Sequence, residues 1–142
     1  MTDPVLRHAH VTETRESTYA VTISVSGHDL QGDEPVSSGG KNIGPAPYDL
    51  LLSALGECTV MTVRWYAEQQ KWPLEKVEAR LTHHKEGKTD YFTKEVILYG
   101  ESLTPDQRTK LIEVSGKCPV QRTLEGTPVI QTKAASLTSD QS

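Results

Sequence analysis

Cysteine is scarce in this chain: there are two in 142 residues, Cys58 and Cys118. Two thiols are too few for a disulfide scaffold, and without a CxxC spacing no thioredoxin-type motif is present. The five histidines, at 8, 10, 28, 83 and 84, form neither HExxH nor a Cys/His cluster, so no metal or cofactor is expected. Basic residues are in deficit. Fifteen Lys and Arg against nineteen Asp and Glu leave a net charge of −4, which excludes the basic footprint of a nucleic-acid binder. No apolar run reaches the roughly 18 residues of a membrane span, because Glu57 and Arg64 interrupt the best stretch. The opening "MTDPVLRHAH" lacks the apolar stretch of a signal peptide. The expectation is a cytoplasmic protein with neither nucleic acid nor membrane as partner.

Hydrophobic residues make up 35% and charged residues 24%, a globular balance that leaves the core lean. The length favours one domain, expected over residues 1–135, followed by a polar tail at 136–142. Residues 6–14 and 18–25 alternate and carry β-branched side chains, which predicts two strands around a turn at Glu16. "SGHDLQGDEP" reads as turn-rich and "SSGGKNIGPAP" as a loop. Neither GxxxxGK[ST] nor GxGxxG occurs, so that loop carries no phosphate-binding signature. Pro47 and Asp49 suit the start of a helix, and Pro73 stops it after about Lys71. Two strands meeting at Gly87–Lys88 come next, then a helix capped by Thr104 with Pro105 in its first turn and ended by Gly116. A short segment after Cys118 and a closing strand, "TPVIQTK", complete the pattern.

The long helix is the unusual element. From Leu50 to Ala67 it reads "LLLSALGECTVMTVRWYA", apolar over most of its circumference, and so requires burial on nearly all sides. Either a second copy of the chain covers it, in an obligate homodimer, or the chain's own two sheets wrap it. The first is the expectation.

Cys58 shares a helix face with Ala54, Leu55, Met61, Thr62 and Trp65, which suits a small core hydrophobe as well as a sheltered thiol. Cys118, after a glycine stop and directly before Pro119, is placed as the N-cap of a short helix, where backbone N–H groups favour a thiolate. Lys117 and Arg122 add local positive charge; a plain loop cysteine is the other reading. Taken as a pair, the two suit a metal-free thiol enzyme with one nucleophile and one resolving thiol.

"GPAPYDLLLSALGECTVMT", "YAEQQKWPLEKVEARLTHHK" and "KCPVQRTLEG" resemble the OsmC/Ohr family over nearly the whole chain. The branch is the one with "DEP…GG…GP" ahead of the helix, here Asp33–Pro35, Gly39–Gly40 and Gly44–Pro45. The resemblance implies an α+β fold in which antiparallel sheets enclose long central helices in an intertwined homodimer. It also implies a peroxidase that reduces organic hydroperoxides, with Cys58 as the peroxidatic thiol, Cys118 as the resolving thiol and an external dithiol as reductant. The branch commonly reads CPVHRTL, and Gln121 replaces that histidine. Characterised members hold the thiolate with an N-terminal arginine and a glutamate ten residues before the first cysteine. Here that position is Tyr48. Asp49 is then the preferred carboxylate and Arg15 the preferred cation, with Arg64 and Arg122 as rivals. Glu57 is expected to pair with Arg64. Leu51, Leu55, Met61 and Trp65 are the expected apolar wall of the substrate pocket. A non-catalytic dimer that binds apolar small molecules, and a thiol redox sensor of the same fold, are the competing functions.

Overall fold

The computed structural model describes residues 6–136. Three strands, β1 (Ala9–Glu13), β2 (Val21–Val25) and β3 (His28–Gly32), form an antiparallel sheet in that order. Ala9 faces Val25 across the first pair and Val25 faces His28 across the second. The first two strands are shorter than the alternation predicts. The third lies where a turn-rich stretch was expected: Ser26 and Gly27, both at positive φ, make a two-residue hairpin turn and return the chain along β2.

Between β3 and the long helix, the "DEP…GG…GP" loop is fastened around one side chain. Asp33 is buried, and its carboxylate accepts from the Ser17 hydroxyl at 2.8 Å and from the backbone N–H groups of Glu34, Lys41 and Ile43 at 2.8, 2.9 and 3.3 Å. Burial alone would raise its pKa, but these hydrogen bonds outweigh that and hold the carboxyl below its ordinary value. Gly40 leaves no room for a side chain, because a Cβ there would run into the Glu34 carbonyl. The motif therefore serves architecture, delivering the chain to the helix start.

The long helix, α1 (Pro47–Gln70), begins and ends as the sequence predicts. The Asp49 carboxylate turns back to accept from Ala46 N at 2.9 Å, satisfying a donor that has no partner within the helix. Lys71 ends it in the left-handed conformation, two residues before Pro73. The strands β4 (Lys76–Glu86) and β5 (Thr89–Tyr99) form a separate two-stranded sheet around the expected turn at Gly87–Lys88. Helix α2 (Pro105–Ser115) opens with a reciprocal cap, Thr104 accepting from Gln107 N at 3.1 Å and Gln107 accepting from Thr104 N at 2.9 Å. A seven-residue helix, α3 (Pro119–Glu125), starts after Cys118 as predicted.

Val63, Ala67, Leu74, Leu103 and Leu111 form the buried core, with Tyr66, Trp72, Val77 and Leu98 packed against it. Helix α1 thus lies on β4, α2 and α3, while the β1–β3 sheet makes extensive contacts only within itself. Within the chain the two sheets do not wrap α1: Met61 and Trp65 are each 61% exposed. The expected closing strand at 127–133 does not form. That segment has no regular structure, and Val129 and Ile130 are exposed. Of the expected tail at 136–142, residues 137–142 lie outside the described residues.

Candidate active site

Helix α1 carries Cys58 on its fourth turn, directly before Thr59, which is fully buried. The chain returns sixty residues later with Cys118 as the residue that precedes α3. Each thiol lies against the other's segment of chain. Cys58 Sγ accepts from the backbone N–H of Val120 at 3.4 Å, and Cys118 Sγ lies 3.6 Å from the Thr59 hydroxyl. Both cysteines are unbridged; Cys118 is fully buried and Cys58 half-buried.

Among the described residues of this chain, the cation at the site is Lys94, which is not among the residues expected from sequence. The alternation of β5 places it on the inward face with Phe92 and Val96, between exposed Thr93 and Glu95. Its ammonium donates to Thr59 Oγ1 at 2.9 Å, to the Ser115 carbonyl at 2.7 Å and to Gln121 Oε1 at 2.6 Å. Those three acceptors use all three of its protons and fix its position. Burial pushes the Lys94 pKa down, while Cys118, Cys58 and Glu125 pull it back. For Cys118, burial opposes the thiolate. The Gln121 N–H, Thr59, Cys58 and Lys94 together outweigh it and hold the thiol below its ordinary value. Gln121 also donates from Nε2 to Glu125 at 3.2 Å, so the residue standing in place of the histidine ties Lys94 to α3.

A cleft of about 510 Å³ opens beside this network, and its apolar wall includes Leu51, Leu55, Phe92 and Leu124. Tyr48, Lys94 and Gln121 also line it, with Asp90 and Glu125 as its carboxylates. Tyr48, ten residues before Cys58, stacks on the His83 ring at 4.6 Å, and His83 pairs with Asp90 at 2.9 Å.

Of the residues expected from sequence, Leu51 and Leu55 line this cleft, and Cys58 and Cys118 belong to the network beside it rather than to its lining. Met61 and Trp65 do not line this cleft and stand on the exposed side of α1. Asp49 is engaged at the helix start. Arg15 is an exposed residue of the β1–β2 turn, 3.8 Å from Glu13. Arg64 pairs with Glu68 at 3.1 Å rather than with Glu57, and also donates to the Leu74 carbonyl at 2.9 Å. Four residues make about one helical turn, whereas seven put the partners roughly 10 Å apart.

A model of the OsmC-like protein family matches residues 39–133. The chain belongs to the OsmC-like family. No curated protein sequence matches it. Among solved structures it resembles an osmotic stress induced and detoxification response protein from Psychrobacter arcticus 273-4, with a TM-score of 0.68 at 16% identity over 87% of this chain and 91% of that one. The organic hydroperoxide resistance protein OsmC of Legionella pneumophila gives 0.62 at 17% identity over 88% and 93%. The organic hydroperoxide resistance protein OhrB of Bacillus subtilis gives 0.59 at 15% over 86% and 92%. At these identities the likeness establishes the OsmC-like fold alone. Among the described residues of this OsmC-like chain, no helix is long and apolar enough to cross a membrane.

Proposed function

We propose that this OsmC-like protein is a thiol-dependent peroxidase that reduces organic hydroperoxides to alcohols and works as a homodimer. The observation that carries this reading is the convergence of two sequence-distant thiols beside a cleft with one apolar wall, with the Val120 N–H 3.4 Å from Cys58 Sγ. Cys58, the more exposed sulfur, attacks the distal oxygen of the hydroperoxide, leaving a sulfenic acid and releasing the alcohol. Cys118 condenses with that sulfenic acid to a disulfide and water, and an external dithiol reduces the pair. The cleft wall of Leu51, Leu55, Phe92 and Leu124 favours alkyl over hydrogen peroxide, by up to ~0.8 kcal/mol for each methylene buried. The names of the Legionella and Bacillus neighbours agree with this substrate class.

A second copy accounts for the surfaces one chain leaves bare. Met61 and Trp65 project from the uncovered side of α1, Val129 and Ile130 are more than four-fifths exposed, and the β1–β3 sheet packs extensively on no other element of its own chain. Burial of these surfaces is the ordinary driving force for obligate association.

Consumption of cumene hydroperoxide with dithiothreitol, measured on wild type and Cys58→Ser, tests the proposal. Turnover in the wild type that is lost in the variant supports a peroxidase. Equal rates in the two proteins contradict it. A disulfide formed once per chain without turnover identifies a redox sensor instead.

A further inference from the structure

Cys118 ends the short link between α2 and α3, and one side chain grips that link from both directions. The Lys94 ammonium donates to the Ser115 carbonyl at 2.7 Å, three residues before Cys118, and to Gln121 Oε1 at 2.6 Å, three residues after it. Its remaining proton goes to Thr59 Oγ1 at 2.9 Å, on the turn of α1 that carries Cys58. The Thr59 hydroxyl donates to the Leu55 carbonyl at 2.8 Å. Toward the Cys118 sulfur, 3.6 Å away, its oxygen is therefore the acceptor and the thiol the donor. One ammonium thus bonds to the residues on either side of Cys118 and to the one against its sulfur.

Helix α3 depends on such ties, because none of its own residues is buried. Among the described residues it reaches other elements by two hydrogen bonds: Gln121 to Lys94, and the Val120 N–H to Cys58 Sγ at 3.4 Å. Gln121 is oriented for the first by donating from Nε2 to Glu125 at 3.2 Å, which turns Oε1 toward the ammonium. Resting on the peroxidase reading, we propose that Lys94 and Gln121 are a positioning pair for the resolving step, seating α3 so that the Cys118 sulfur stands within reach of a Cys58 sulfenic acid. A disulfide tolerates little error, since its Cα atoms must lie within roughly 7 Å, and groups held in place react as if far more concentrated.

The step this pair serves is balanced. The Cys118 sulfur bonds to the sulfenic sulfur of Cys58, the S–O bond breaks, and the Cys118 proton leaves with the oxygen as water. Cys118 sulfur loses one electron and the sulfenic sulfur gains it. The external dithiol then returns both to thiols.

Equilibration of the two cysteines with a dithiothreitol redox couple tests the seating without any hydroperoxide. Gln121 is only partly buried, and replacing it leaves the ammonium bonded to Thr59 and Ser115. In Gln121→Leu the equilibrium constant for the Cys58–Cys118 disulfide should fall roughly tenfold, and Gln121→Ala gives the same reading if the leucine variant does not fold. Gln121→Glu, which keeps an oxygen for Lys94, should stay within about threefold of wild type. In folded Lys94→Met the constant should fall as in Gln121→Leu, and adding Gln121→Leu to it should lower it no further. A constant unchanged or raised in folded Gln121→Leu overturns the proposal, as does a loss in Gln121→Glu as deep as in Gln121→Leu. With one equivalent of cumene hydroperoxide, dimedone should capture more Cys58 sulfenic acid in Gln121→Leu than in wild type, because resolution lags. Turnover by the wild type with unmoved constants contradicts the positioning pair alone. Moved constants without turnover contradict the peroxidase reading and leave the pair in place.

Discussion

Thr59 follows Cys58 in the chain, yet its hydroxyl lies 3.6 Å from the sulfur of Cys118. One turn of α1 thus supplies one thiol and a hydrogen-bonding partner for the other. Lys94 completes the arrangement from β5, so three elements must be in register before the site exists. That dependence ties the chemistry to the fold and shapes what substitutions should do.

Removing the second thiol separates the two oxidative steps. In Cys118→Ser, one equivalent of cumene hydroperoxide should leave a sulfenic acid on Cys58, captured by dimedone, with no further turnover. In Cys58→Ser the same dose should give no dimedone adduct on Cys118. An adduct on Cys118 would reverse the assigned roles.

The loop ahead of α1 should respond to acid through Asp33. Its folded carboxyl is held below the ordinary value of about 3.9, so its contribution is complete above that pH and is lost as pH falls through the lower folded value. Asp33→Asn should be less stable than wild type at neutral pH. The difference should close as the pH drops below about 3.9. Denaturant unfolding across pH measures both.

Core packing gives a prediction independent of chemistry. Leu111 is fully buried in the α1–α2 core, and Leu111→Ala should cost about 2–5 kcal/mol by urea unfolding. Gly40→Ala should cost at least about 1–3 kcal/mol, because the added Cβ meets the Glu34 backbone rather than a side chain that can move.

Charge on the bare side of α1 should separate the two copies. Trp65→Glu and Met61→Glu each place a carboxylate where the proposed interface is apolar, and sedimentation should shift from dimer toward monomer. A wild type that sediments as a monomer would remove the dimer from the account.

Much of the fold was legible because its signals are local. Pro47, Pro73, Thr104, Pro105 and Pro119 mark helix boundaries by covalent geometry and capping, and the structure places its helices where they say. The third strand was hidden because "HDLQG" has turn-forming composition and earns its conformation from pairing with β2. "TPVIQTK" shows the opposite case: strand propensity without a partner in its own chain leaves it irregular. The motifs single out both cysteines and the structure brings their segments together, while spacing alone suits Cys58 equally as a core residue. Lys94 carries a sequence signal of a different kind from the motif residues: a lysine between Phe92 and Val96 on the inward side of an alternating strand. Arg15 and Asp49 were chosen by analogy with the family's residues. Within the chain the structure places them in a turn and at a helix start, while Lys94 reaches the site from β5.

The most direct test of the central claim is to treat the reduced protein with one equivalent of cumene hydroperoxide and map the product by peptide mass spectrometry. The account predicts a disulfide joining the Cys58 and Cys118 peptides of one chain, formed together with one equivalent of cumyl alcohol. Alcohol formed with the two thiols still free, or hydroperoxide left unconsumed, would contradict it.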